Sequence, residues 1–83
     1  MMKEYLFDAT ELEAPEPLEQ ATKLLSSLQH GEYIRMIHRK QPRLLYPIIK
    51  EQGYREQTTL RDDGLVEILI CFNDDQKVIQ TIF

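Results

Sequence analysis

Cysteine is almost missing from this 83-residue chain. With Cys71 as the single copy, no disulfide can form within the chain and no cluster of cysteine ligands can hold a metal. A reducing cytoplasm suits such a sequence. Histidine is nearly as scarce: His30 and His38 are the two, and they lack the close pairing of a zinc site. There are three glycines and no glycine-rich phosphate loop, and no Ser/His/Asp elbow occurs either. Catalysis therefore has no named nucleophile to rest on, and the chain is expected not to be an enzyme. Positive charge is in deficit, with 10 Lys and Arg against 14 Asp and Glu and a net charge of -4. That balance disfavours nucleic acid as a partner, because neutralising phosphates takes a surplus of cations. Long apolar runs are absent as well. The longest, "LVEILICF", is too short to cross a bilayer and carries Glu67, and "MMKEYLFDATE" has no signal-peptide apolar region, so neither membrane nor export is expected.

What is present is the composition of a folded domain: 42% hydrophobic and 29% charged residues in a length that holds one core. Residues 1–83 are expected to form a single domain. In "EYLFDA", Glu4 to Ala9, the residues Tyr5, Phe7 and Ala9 share one side of an extended chain and mark a first strand. After "TELEA", Leu18, Ala21, Leu24, Leu25 and Leu28 recur at helical spacing, with Glu19 four residues before Lys23. Pro15 and Pro17 fit the entrance of that helix, where a missing N–H costs nothing, and Glu16 and Glu19 face the positive end of its dipole. His30 and Gly31 read as its stop, with His30 near the cap.

"EYIRMIH", Glu32 to His38, reads as a second strand, parallel to the first across the helix. Leu44, Leu45, Ile48 and Ile49 then mark a short helix ending near Gly53, with Pro47 forcing a late start or a kink. Tyr54 to Leu60 is strand, Asp63-Gly64 signals a hairpin, and "LVEILICF" is the most buried strand. Lys77 to Phe83 reads as β-prone, so residues 73–83 are either an extra strand or a tail, packed in the same chain or across a homodimer. The expected fold is an α/β two-layer sandwich, strand-helix-strand-helix-strand-strand, with a mixed four-stranded sheet and both helices on one face. Ile34, Met36, Leu69 and Cys71 are expected on the other face, and Cys71 itself reads as a small core residue.

The stretch "DATELEAPEP", Asp8 to Pro17, resembles the D-x-x-G-L-x-C-P-x-P signature of the SirA/TusA sulfur-carrier family, with Asp8, Leu12, Pro15 and Pro17 matching. The likeness runs through Gly31, the second strand and Pro42 to about Phe72. Ala14 stands where the family has its cysteine and Glu11 where it has glycine. A thiolate at that helix start could carry a persulfide, whereas a methyl group cannot. The chain looks like a cysteine-less, uncharacterised branch with an "A/P-P-E-P-L" helix start and an "H-x-x-x-P-x-x-L-x-P" stretch, here "HRKQPRLLYP", His38 to Pro47. The resemblance implies the family fold without sulfur relay through position 14.

In a parallel strand-helix-strand unit, the loops that leave the two strands lie side by side, a common place for ligands. His38, Arg39 and Arg43, with Tyr46 and Glu16 beside them, form the candidate site for a small anion or an acidic group on a protein partner. The plainer alternative is that these charges neutralise one another on a solvated rim. No resident metal or cofactor is expected. The competing function classes are an enzyme or a metal or haem protein that uses His38 with Asp8 or Glu16, and an RNA-binding module built on the basic loop.

Overall fold

The structure, a computed structural model, describes residues 2–83. Its elements in chain order are β1 (Lys3–Asp8), α1 (Glu16–Ser27), β2 (Glu32–His38), α2 (Leu45–Glu51), β3 (Tyr54–Leu60), β4 (Val66–Phe72) and α3 (Gln76–Ile82). The four strands make one mixed sheet in the order β1-β2-β4-β3. β1 runs parallel to β2, and β4 runs antiparallel to both β2 and β3. None of the helices is long and apolar enough to cross a membrane.

Strand alternation sorts the side chains. Phe7 of β1, Ile34 and Met36 of β2, and Val66, Ile68 and Ile70 of β4 point to one side, where Ala21 and Leu25 of α1, Leu28 just beyond it, and Leu45 and Ile49 of α2 meet them. This is the main core, and both helices lie on it as the apolar spacing predicts. Ile34 and Met36 therefore belong to this side rather than to the opposite face, the reverse of the expectation. Strand parity gives the reason: in β2 it is Tyr33, not Ile34, that shares a face with Cys71 of β4. Leu44, which the spacing counts with Leu45, Ile48 and Ile49 in the second helix, instead precedes α2 on the surface, 74% exposed. α2 starts at Leu45, with Pro47 in its first turn, where a proline is tolerated.

The C-terminal segment is helix, not strand. Val78, Ile79 and Ile82 recur at helical spacing, and Asp75 supplies the N-cap, its carboxylate accepting from the Val78 N–H. These local signals override the β-prone composition of "KVIQTIF". α3 packs within the same chain on the second face of the sheet, where Val78, Ile79, Ile82 and Phe83 cover Tyr33 and Cys71. The two-layer arrangement thus gains a short helix over part of its other side. Beyond α3 that face carries Leu6 and Ile37 beside a polar network: Glu4 Oε1 accepts from the Tyr33 hydroxyl at 2.7 Å and from Arg35 Nε at 2.8 Å, and Arg35 Nη1 lies 2.9 Å from Glu67.

Asp75 does more than cap. Its Oδ2 accepts from the Gly31 N–H at 2.7 Å, so one buried carboxylate joins the start of β2 to the start of α3. His30 does not cap α1. Its ring stacks on Phe72 at 4.3 Å, and its Nε2 is 2.8 Å from Asp74, placing it against the β4–α3 turn. The hairpin between β3 and β4 follows its sequence signal, with the positive φ on Gly64 and that residue's N–H donating to the Arg61 carbonyl.

Asp75→Ala leaves two backbone donors without their acceptor and is expected to lower unfolding stability by about 1–3 kcal/mol in urea titrations. Asp75→Asn, which retains one acceptor oxygen, should lose less.

Candidate functional site

The parallel pairing of β1 and β2 brings the loops that follow them together, and the Ala9 N–H donates to the Ile37 carbonyl at 2.8 Å where the strands end. In the first loop Asp8 closes a local turn: its Oδ1 accepts from the Thr10 hydroxyl at 2.6 Å and from the Thr10 N–H at 2.9 Å. Those bonds, the hydroxyl's first, hold the Asp8 carboxyl below its ordinary pKa. The peptide bond from Ala14 to Pro15 is cis, and α1 begins directly after it with Glu16 exposed. Pro17 is buried against the core side.

Arg39 connects the two loops. Its Nη2 donates to the Leu12 carbonyl at 3.1 Å and lies 3.9 Å from the Glu13 carboxylate. The acidic and basic loops thus meet as expected, although Arg39 already has partners. Lys40 and Arg43 are exposed, and among the described residues neither side chain makes a hydrogen bond or an ion pair. They are the cations left for a ligand. Tyr46 is directed elsewhere: its hydroxyl is 2.9 Å from Thr58 Oγ1 on β3, and its ring packs on the main core.

His38 closes β2 at only 4% exposure, and its Nδ1 accepts from the Arg39 N–H at 2.7 Å. That bond fixes the neutral tautomer with the proton on Nε2. Burial, followed by the charges of Arg39 and Lys40, pushes the imidazole below its ordinary value. A metal could reach only Nε2. Among the described residues no group of three His, Cys, Asp or Glu is placed to hold a metal ion.

Of the five predicted site residues, the structure brings His38, Arg39, Arg43 and Glu16 to the same end of the sheet. It does not bring Tyr46 into the loop. Two shallow, open hollows lie away from His38: one is lined by Thr59 to Asp63 in the β3–β4 hairpin, the other by Leu18, Glu19, Thr22, Lys23 and Ile48 between α1 and α2. Spacing alone gave no sign of them, since each depends on how elements pack. Cys71 is fully buried on the opposite face, and its thiol is pushed up to about 11, first by burial and then by Asp75.

A neutral buried His38 makes stability depend on pH. The unfolded imidazole takes a proton near its ordinary 6.5, while the folded one resists until lower pH. Stability is therefore whole above that value and declines as pH falls toward the depressed folded value. Urea unfolding of the wild type between pH 7.5 and about 5 should show this loss, and His38→Gln should flatten it; equal slopes in both proteins would remove His38 as the cause.

A search of curated proteins finds no significant match. Among solved structures the chain is similar to a SirA-like protein from Desulfitobacterium hafniense, with a TM-score of 0.69 and 22% identity, over 83% of this chain and 95% of that one. At that identity the likeness establishes a SirA-like fold. Residues 6–71 match the model of a family described as uncharacterized conserved protein, DUF2249. With most of its length inside that match, from the middle of β1 to near the end of β4, the chain belongs to the DUF2249 family.

Proposed function

We propose that this chain is a non-enzymatic binding module on a SirA-like scaffold, whose basic loop from His38 to Arg43 takes an acidic group on a small ligand or a protein partner. The observation that carries the reading is the pairing of a cationic loop, with Lys40 and Arg43 uncommitted, with a helix start that carries no reactive group. Ala14, at the position where SirA/TusA carriers hold their cysteine, is exposed and offers only a methyl. A relay of sulfur needs a thiolate that can attack and be attacked, and a buried thiol with a raised pKa is a poor one. A role accessory to sulfur or redox metabolism, in the reducing cytoplasm, is compatible with a scaffold of this type that has dispensed with the thiol.

Arg39 has a place in this reading. By tying the second loop to the Leu12 carbonyl it sets where Lys40 and Arg43 begin, at little direct energetic gain for a half-exposed ion pair. An arriving carboxylate or phosphate gains from charge-assisted hydrogen bonds to both remaining cations. The reading of His38 as a metal or haem ligand gains no support from a ring nitrogen already bonded to backbone.

Native mass spectrometry of gently purified protein tests the proposal. A bound ligand or partner present in the wild type should be lost in Lys40→Ala/Arg43→Ala, whereas an adduct that survives in the double variant removes the loop as its site. A separate expectation concerns sulfur: at pH 7.5 native Cys71 should react with a thiol reagent at least about 100-fold more slowly than the urea-unfolded chain. Rapid native labelling, or persulfide transfer through Cys71, would defeat the non-carrier reading.

A further inference from the structure

We infer that the end of the molecule bearing Leu44 and Leu60 docks a segment of a partner protein in which an apolar side chain is accompanied by a carboxylate. The inference rests on the binding role proposed for the basic loop and names the kind of partner that loop receives.

Leu44 and Leu60 are 74% and 73% exposed and, among the described residues, are two of the three large apolar side chains left on the surface, with Leu6 the third. One such leucine alone is ordinary. Their common location is what matters. Leu60 pairs with Val66, which pairs with His38, so it stands in the cross-strand row where β2 gives way to the basic loop. Thr58, two residues earlier on β3, shares the face of Leu60 and meets the Tyr46 hydroxyl in the first turn of α2. Leu44 lies just ahead of that turn. Both leucines therefore lie to the same side of the Tyr46–Thr58 contact, next to Arg43 and close in sequence to Lys40.

The charge of this region selects the partner. In a chain of net charge -4, Arg35, Arg39 and Arg61 each have a carboxylate in reach, whereas Lys40 and Arg43 have none. On the far side of Leu60, Asp63 is held by Arg61 at 2.9 Å, and Asp62 adds an acid there. Basic residues precede Leu44 in the chain and acidic ones follow Leu60, which calls for a segment of matching polarity. Its carboxylate belongs beside Lys40 and Arg43, and its apolar side chain on the leucines. An open, shallow depression lined by Thr59 to Asp63 includes Leu60 in its wall. A polyphosphate backbone would meet Asp62 and Asp63 and fits less well.

The test uses the immobilised full-length chain to select from a random peptide display library, followed by fluorescence anisotropy of the enriched peptides. Enrichment of peptides with Asp or Glu near a Leu, Ile or Phe is expected. Leu44→Ser, Leu60→Ser and Arg43→Ala should each weaken the selected peptide about tenfold or more, with unchanged circular dichroism confirming that these surface variants fold. Peptides without acids, no enrichment at all, or binding indifferent to both leucines would overturn the inference. Should Lys40→Ala and Arg43→Ala abolish binding while the leucine variants stay silent, the basic-loop reading stands and the apolar partner falls. Loss with the leucine variants alone would defeat both. Sedimentation showing a wild-type dimer that Leu44→Ser dissociates would assign the patch to a second copy and also overturn the inference.

Discussion

The backward-bending turn at Gly31 connects nearly every part of this molecule. Its φ of 88° is open to glycine and disfavoured for a residue with a Cβ. From that turn the carbonyl accepts from the Lys3 N–H at the start of β1, while the N–H donates to Asp75 at the start of α3. The first strand and the last helix are thus both bonded to the one residue that separates the first helix from the second strand. The alignment of β1 beside β2 begins there and continues to the Ala9–Ile37 contact at the other end, which is where the two candidate loops emerge.

This dependence also explains what could be read directly from the chain. Helix α1, the strand from Glu32 to His38, the β3 span and the Gly64 turn each have a local cause: apolar spacing, a proline entrance, alternation or a positive-φ glycine. Those causes hold wherever the segment sits. The errors fall where the outcome depends on a distant partner. "KVIQTIF" has the residues of a strand, yet the Asp75 cap and the face of Tyr33 and Cys71, on which Val78 packs, make a helix the better-buried arrangement. His30 reads as a cap because it ends α1, but Phe72 and Asp74, more than 40 residues on, engage it. Assigning Ile34 and Met36 to the wrong face is a parity error, decided by which neighbours flank β2.

At the candidate site the same division holds. That two oppositely charged loops would meet was legible from the strand-helix-strand unit. That Arg39 would spend its guanidinium on a backbone carbonyl, that Tyr46 would turn toward Thr58, and that His38 would be sealed neutral were not, because each is settled by atoms contributed from another element. Within the basic loop, Lys40 and Arg43 stand out only after Arg39 has been assigned its partners. A SirA-like fold with Ala14 just before the helix start offers a methyl there and no reactive group.

The seven-residue length of α3 carries its own implication. Helices so short have no independent stability in water, so this one persists through Val78 and its neighbours resting on the sheet and through the Asp75 bonds. Segments of that sort detach in local opening events that cost less than global unfolding. Release of α3 would bare Tyr33 and Cys71 while the four-stranded sheet and the two helices on its other face remained in place. The chemistry of the lone thiol is then governed by the free energy of this local opening and not by the stability of the domain as a whole, which gives the protein a concealed sulfur whose accessibility is set at its C-terminus.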